Sequence, residues 1–375
     1  MAPLPKIIDT HIHLWPSTAT APTDHGWMTQ GHPLAKRHGV ADYDNATSAS
    51  PVRPSGFVYV ETDRCLPSAV PEMQEDAQDD EEKERRLRAW AKAPLEELDF
   101  LKRIVGGEPR DGDGFSSEHD GRRLVGLVVW APFHLPPELF SLYMRIVESV
   151  LQPSAWERVV GFRYLLQGKG VDEVRNVVES EHWLSNLVSI GQGRAGKGWS
   201  FDVGVDCHRD GVEGLEVVAR MVERVRAVEQ LQGRGNKVRF VLNHLCKPDL
   251  STPWPLFPRY SSVLTRLAAD PLVYMKLSGA FNEFSPAATP SLASDLLASL
   301  RPYLDHVLKV FGSERIMFGS DWPVCNVGGP KGEEGNWALW REVVERWLEE
   351  KGSGEEERER VWWRAGAEAY GLDGI

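Results

Sequence analysis

An eightfold α/β barrel, the (β/α)8 TIM-barrel class, is the architecture this sequence predicts, on three observations. Eight short segments rich in branched and aromatic residues recur along the chain, at 6–14, 56–62, 124–131, 159–166, 200–206, 238–245, 273–278 and 316–320. Helical patterns separate them. Residues able to do chemistry stand at the C-terminal ends of several segments, which is where a barrel assembles its site. No linker-like stretch divides the chain, and 375 residues with 42% hydrophobic content suffice for one large core. Residues 1–375 therefore read as a single domain with a long first strand-to-helix loop.

Each apolar segment is too uniform for a half-exposed strand and has the length of one covered on both faces, as parallel strands are. Among the helices 215–231 is the clearest, with Leu215, Val218, Met221, Val222, Val225, Val228 and Leu231 on one stripe and Glu and Arg opposite. The spacing predicts others at 136–151, opened by Pro136-Pro137, at 291–311, and at 337–350, where Trp337, Trp340, Val344 and Trp347 share a face. An open doubly wound sheet would carry a G-x-G-x-x-G turn after its first strand, and none is present.

Three stretches fall outside the repeat. Residues 15–54, rich in Pro, Ser, Thr and His, follow the first strand and are expected over the barrel mouth as a lid. Residues 72–88 are dense in charge, as a solvated helix or insertion at the second strand's exit would be. Residues 106–122, with Asp-Gly pairs at 111–112, 113–114 and 120–121, precede the third strand and are expected on the opposite face, which leaves His119 without a role.

A formal charge of −12 gives no electrostatic reason to expect nucleic acid or an anionic membrane surface as partner, so a small-molecule substrate is expected. No apolar run approaches the roughly 18 residues of a membrane span, and the chain enters a strand pattern almost at once, so a cytoplasmic protein is expected. Cys65, Cys207, Cys246 and Cys325 are scattered without C-x-x-C spacing and read as reduced, mostly buried thiols, with Cys207 or Cys325 the candidates for lining the site.

His11-Ile12-His13 is the densest piece of chemistry. Two imidazoles two residues apart on an extended strand point to one side, which suits two ligands for one metal or two proton carriers for one substrate. Partners stand at the other strand ends: Arg163 after strand four, His208 after strand five, Asn243-His244-Leu245-Cys246-Lys247-Pro248 after strand six, Lys276 on strand seven, and Gly319-Ser320-Asp321-Trp322-Pro323 after strand eight. Glu61 and Glu283 read as supporting groups or loop residues. Each of these has a bland alternative, a hydrogen-bonded imidazole capping a strand, a turn-forming aspartate, an arginine paired with a neighbouring carboxylate, or a core tryptophan.

The histidine pair, His208, His244 in a segment like D-H-x-G-K-P, and Asp321 in G-S-D-W-P resemble the amidohydrolase superfamily, in its amidohydrolase-2 branch with the sugar lactonases, from Ile7 to about Pro323. The likeness extends to the fungal L-rhamnono-γ-lactonases through Asp9-Thr10-His11-Ile12-His13-Leu14-Trp15-Pro16, Gly31-His32-Pro33-Leu34-Ala35 and Gly161-Phe162-Arg163-Tyr164-Leu165-Leu166-Gln167. Asn243 departs from the family's usual acidic residue and Cys246 from its glycine. Arg163 stands where a metal-bridging Lys or Glu would be, which disfavours a two-metal site. The resemblance implies a hydrolase of sugar catabolism that opens an aldonolactone such as L-rhamnono-γ-lactone, with one divalent metal, zinc foremost, or none.

A lactonase must polarise a carbonyl, deprotonate water and protonate the departing ring oxygen. Asp321 is the expected base, with His244 and His208 as its catalytic partners. A metal would take His11 and His13 with His208 or Asp321. Arg163, Lys247 or Lys276 would face the oxyanion or a carboxylate. Trp322, with Trp15 and Trp130, stands where an indole could cover a sugar face, and Trp27, His32 and Tyr43 in the first loop are expected to set substrate choice. The alternative within the branch is a metal-dependent decarboxylase, which reuses the same histidines and aspartate. A glycosidase is disfavoured because strand four ends in Arg163-Tyr164 and offers no acid, and a non-catalytic binding barrel because so many titratable groups crowd one mouth.

Overall fold

The structure is a computed structural model that describes residues 6–73, 79–233, 235–251, 253–372 and 374. All eight expected strands form: β1 (Ile8–Ile12), β2 (Gly56–Val60), β3 (Leu124–Trp130), β4 (Val159–Arg163), β5 (Ser200–Val203), β6 (Arg239–Leu242), β7 (Val273–Leu277) and β8 (Ile316–Phe318). Each pairs in parallel with the next in sequence order. The ring closes between the first and last, where Ile12 bridges Trp322, His13 N donates to Trp322 O at 2.8 Å and Asp321 N to His11 O at 2.9 Å. This closure joins the two ends of the chain that carry His11, His13 and Asp321.

Strand residues are buried on both sides, which is why the apolar runs do not alternate. Ile8, Val58, Val128, Val160, Val241 and Met317 come from six strands and pack together inside the barrel. Ala365, Ala369 and Tyr370, on a helix at Ala365–Tyr370, join that cluster. The larger core lies between strands and helices; it includes the Trp337, Trp340, Val344 and Trp347 face of helix Asn336–Glu350 and the stripe of helix Val212–Leu231. The helix expected at 136–151 spans Pro137–Trp156, with Gln152 at φ 59 before Pro153 breaking its regularity.

The stretches outside the repeat are more structured than expected. Residues 15–54 do not hang loosely over the mouth. Trp15 and His38 bridge each other at the base of the excursion, helix Val40–Thr47 follows, and the tip docks on the exit of β2 through Gly26 N to Asp63 O (2.8 Å) and Trp27 Nε1 to Thr62 O (2.9 Å). Within 72–88, residues 74–78 lie outside the described ones; a helix at Asp80–Trp90 buries Leu87 and Trp90. The 106–122 segment reaches the first loop on the barrel flank, with Ser17 N donating to Gly112 O and Ala41 N to Gly114 O. Gly39 makes this approach possible, since a Cβ there would lie 2.4 Å from the Gly114 carbonyl oxygen. Among the described residues no helix is long and apolar enough to cross a membrane.

Candidate active site

His11 and His13 leave β1 toward the barrel axis, and their Nε2 atoms stand 3.2 Å apart. Asp9 does not join them, although strict alternation would put it on the same face. The register of β1 shifts between Asp9 and Ile12, and the Asp9 carboxylate points into the helical layer, taking hydrogen bonds from Tyr43 Oη (2.7 Å), Trp337 Nε1 (2.8 Å) and Ser320 N (2.8 Å). Asp9 thus ties β1 to the turn that carries Asp321.

Asp321 Oδ1 lies 3.3 Å from His13 Nε2, 3.6 Å from His11 Nε2 and 3.7 Å from His244 Nε2. Four side chains from strands one, six and eight therefore meet at one point. His13 is oriented by donation of Nδ1–H to Val60 O at 2.8 Å, which leaves its Nε2 lone pair facing Asp321. His244 is oriented by Ser278 Oγ, 2.8 Å from its Nδ1. It sits in a left-handed turn in which His244, Leu245, Cys246 and Lys247 have φ of 56, 53, 58 and 49°. Side chains in that conformation cost on the order of 1 kcal/mol each, a strain that concentrates at functional sites. Gly279 makes room for the pair: a Cβ there would lie 2.6 Å from His244 Nδ1 and 2.9 Å from Asp321 Oδ2.

Burial pushes the Asp321 carboxyl upward, but the charges of His244, His13 and Lys247 outweigh it and hold it at about 2. Burial lowers His244 to about 3 and His11 well below the ordinary imidazole value. At neutral pH Asp321 is thus ionised beside His11 and His244, whose charged forms burial disfavours. Asp321 Oδ2 is buried and has no hydrogen-bond partner among the described residues.

Asp321, His13 and His244 form the floor of a cavity of about 920 Å³. Arg163 and Lys247 border it, and Trp27 and His32 of the first loop form part of its wall. Arg163 is also a structural partner: its Nε donates to Glu61 Oε1 and its Nη2 to Glu61 O, both at 2.5 Å, so the supporting role expected for Glu61 is its task. Lys247 Nζ lies 3.4 Å from Glu283 Oε1.

Several expectations are corrected. His208 does not reach the imidazole and aspartate cluster; its Nδ1 is 3.1 Å from Glu283 Oε2 and its Nε2 3.6 Å from Asp249 Oδ1, because the turn after β5 carries it toward the loop after β7. His244 occupies the place beside Asp321 that a third histidine was expected to fill. Trp322 does not line the cavity; it is 2% exposed and packs against His38 and Tyr43 beneath the first loop, since the residue after Asp321 points outward. Tyr43 is held by Asp9, Trp15 by Lys36 O, and Trp130 by Trp90 and Tyr143, so none of the three faces the cavity. Cys207 and Cys325 are buried outside it. Lys276 is wholly buried, 2.7 Å from Asp202 Oδ2 and 3.1 Å from His11 Nδ1.

Sequence reasoning missed Asp9, Asp202 and Asp63. Asp202 gathers Lys276, Asn243 Nδ2 (3.0 Å) and Tyr370 Oη (2.9 Å), linking the last helix to the site. Asp63 lines the cavity. A carboxylate three residues past the end of β2 was the available signal, and it was masked by Glu61.

Residues 222–372 match the family model described as amidohydrolase. An L-rhamnono-γ-lactonase of Scheffersomyces stipitis is 25% identical over 377 residues, covering 98% of this chain and 99% of that protein. An L-fucono-1,5-lactonase of Burkholderia ambifaria is 33% identical over 142 residues, 36% of this chain and 43% of that one. A crystal structure of an amidohydrolase from Burkholderia multivorans with bound zinc superposes with a TM-score of 0.69 at 23% identity, covering 98% of this chain and 99% of the other. The chain is thus similar to amidohydrolases over residues 222–372, is similar over its whole length to a protein named as a sugar lactonase, and shares the barrel fold of the zinc-bound structure.

Proposed function

We propose that this chain hydrolyses a sugar lactone, opening an aldonolactone such as L-rhamnono-γ-lactone to the aldonic acid. The observation that carries the reading is the ionised Asp321 on the cavity floor, within 3.7 Å of three imidazoles, in a chain similar over its whole length to a protein named for that reaction. Water held between Asp321 and His244 attacks the lactone carbonyl, and Asp321 takes its proton as the new C–O bond forms. Lys247 and the free edge of Arg163 supply positive charge where the carbonyl oxygen becomes an oxyanion. Collapse breaks the ring C–O bond, and the proton held by Asp321 passes to the departing alkoxide.

The donor set fits one divalent ion. Ligand atoms of His11, His13 and Asp321 all lie within 4.8 Å of one another, His13 Nε2 presents a lone pair, and Asp321 Oδ2 has no hydrogen-bond partner among the described residues. His11 fits conditionally. With Lys276 donating to its Nδ1, its proton rests on Nε2 and points at His13, a network complete in itself that a metal would displace. An ion held there would polarise the carbonyl or acidify water. Arg163, paired with Glu61, offers no bridge for a second ion.

Residues 1–375 are proposed as one domain, supported by the closure of β1 on β8 and the anchoring of Tyr370 inside the barrel. A small-molecule substrate and a cytoplasmic setting accord with the cavity at the barrel mouth and four free thiols. The test is a pH-indicator screen of aldonolactones with and without chelator, alongside metal analysis and an assay for released carbon dioxide. Acid release from an aldonolactone supports the reading; carbon dioxide from an aromatic acid with no lactone opened assigns the decarboxylase reaction instead.

A further inference from the structure

The cavity has one carboxyl that the chemistry above leaves unused. Asp63, just past β2, lines the same space as Trp27 and Asp321. Its position is built. Asp63 N donates to Glu61 Oε2 at 2.6 Å, Asp63 O accepts from Gly26 N at 2.8 Å, and the residue holds φ 53, a left-handed conformation. Gly26 leaves the carboxylate its room, since a Cβ there would lie 2.6 Å from Asp63 Oδ2. Two backbone bonds, one strained residue and one glycine therefore aim this side chain. Among the described residues no hydrogen bond or ion pair reaches its carboxylate oxygens. Burial and the charge of Glu61 raise it to about 6, against the opposing charges of Lys169 and Arg163. Half-buried on the cavity wall, the carboxylate still meets solvent, and a ligand that covers it must supply donors in place of that water.

Resting on the lactonase reading, we infer that Asp63 is the specificity residue of the cavity wall, accepting hydrogen bonds from hydroxyls of a polyhydroxylated lactone whose apolar face lies against Trp27. Trp27 cannot turn its polar edge inward, because its Nε1 is committed to Thr62 O at 2.9 Å, so the indole offers the cavity apolar surface. An apolar ring face beside a carboxylate with free lone pairs matches a sugar, which has C–H groups on one side and hydroxyls at its rim. A lactone without hydroxyls would cover the carboxylate and displace its solvent without supplying donors in return. Asp63 thus discriminates between lactones without taking part in the bond changes, which remain with Asp321.

The test compares the wild type with Asp63→Gly, which keeps the left-handed backbone unstrained, on L-rhamnono-γ-lactone and γ-butyrolactone. The ratio of kcat/KM for the first to that for the second is expected to fall by about tenfold or more, the scale of one charge-assisted hydrogen bond. An unchanged ratio overturns the inference. Binding of uncharged L-rhamnose, measured by calorimetry, reads the wall without turnover: weaker binding to Asp63→Gly supports it and equal binding overturns it. Should the wild type open neither lactone, the lactonase reading fails while the sugar measurement still decides the role of Asp63.

Discussion

His13 Nε2 and Asp321 Oδ1 lie 3.3 Å apart although 308 residues separate them, because His13 N is bonded to Trp322 O where the barrel closes. The backbone bond that completes the ring also sets the distance between base and imidazole. Chemistry at this point is therefore coupled to the closure of the sheet.

Asp321→Asn removes the base while retaining shape. Turnover is expected to fall by about 10²-fold or more, with an unaltered circular dichroism spectrum. Near-normal initial rates on an aldonolactone would take Asp321 out of that role.

Gly279→Ala tests the space around the same group. The added methyl meets His244 Nδ1 and Asp321 Oδ2, and φ +62 strains any side chain there. A loss of about 10²-fold in kcat, the scale for a displaced catalytic pair, is expected; steady-state rates matching the wild type would show that the pair can move freely.

Breaking the Arg163 and Glu61 pair should cost stability more than chemistry. Glu61→Gln leaves a buried guanidinium without its countercharge, and a loss of about 3 kcal/mol in denaturant unfolding is expected. A shift under about 0.5 kcal/mol, the range of ordinary surface changes, would mean that Arg163 finds another partner.

His208 gives a pH signature. Its hydrogen bond to Glu283 raises it, burial opposes, and the charges of Asp249 and Glu283 add to the rise. A raised folded-state value means that the stabilisation is complete below the unfolded value near 6.5 and is lost as pH climbs through the folded value. In urea titrations the gap between wild type and His208→Asn should be widest in acid and shrink toward alkaline pH. A gap independent of pH would remove the charged pairing.

Zinc binding should release a proton, since His11 gives up its Nε2 proton to become a ligand while Nδ1 takes one from Lys276, which becomes neutral. Affinity is expected to be higher at pH 8 than at pH 6, and calorimetry in buffers of different ionisation enthalpy will count the proton. Binding without release would place the His11 proton on Nδ1, facing Lys276.

The order of strands, the helical stripes and the cluster of His11, His13, His244 and Asp321 were legible in the sequence, because apolar runs and strand-end positions are local properties that a barrel converts directly into place. The direction of individual side chains was not. Asp9 lies on the parity of His11 and His13 yet points outward through a register shift, Trp322 adjoins the base yet lies beneath the first loop, and His208 was drawn off by Glu283, 75 residues away. Tertiary structure alone decided these, since each depends on a partner from a distant strand or loop competing for the same hydrogen bond or the same packing space. Asp63 belongs with them: its sequence neighbourhood is ordinary, and only the docking of the first loop on the exit of β2 makes it part of the cavity.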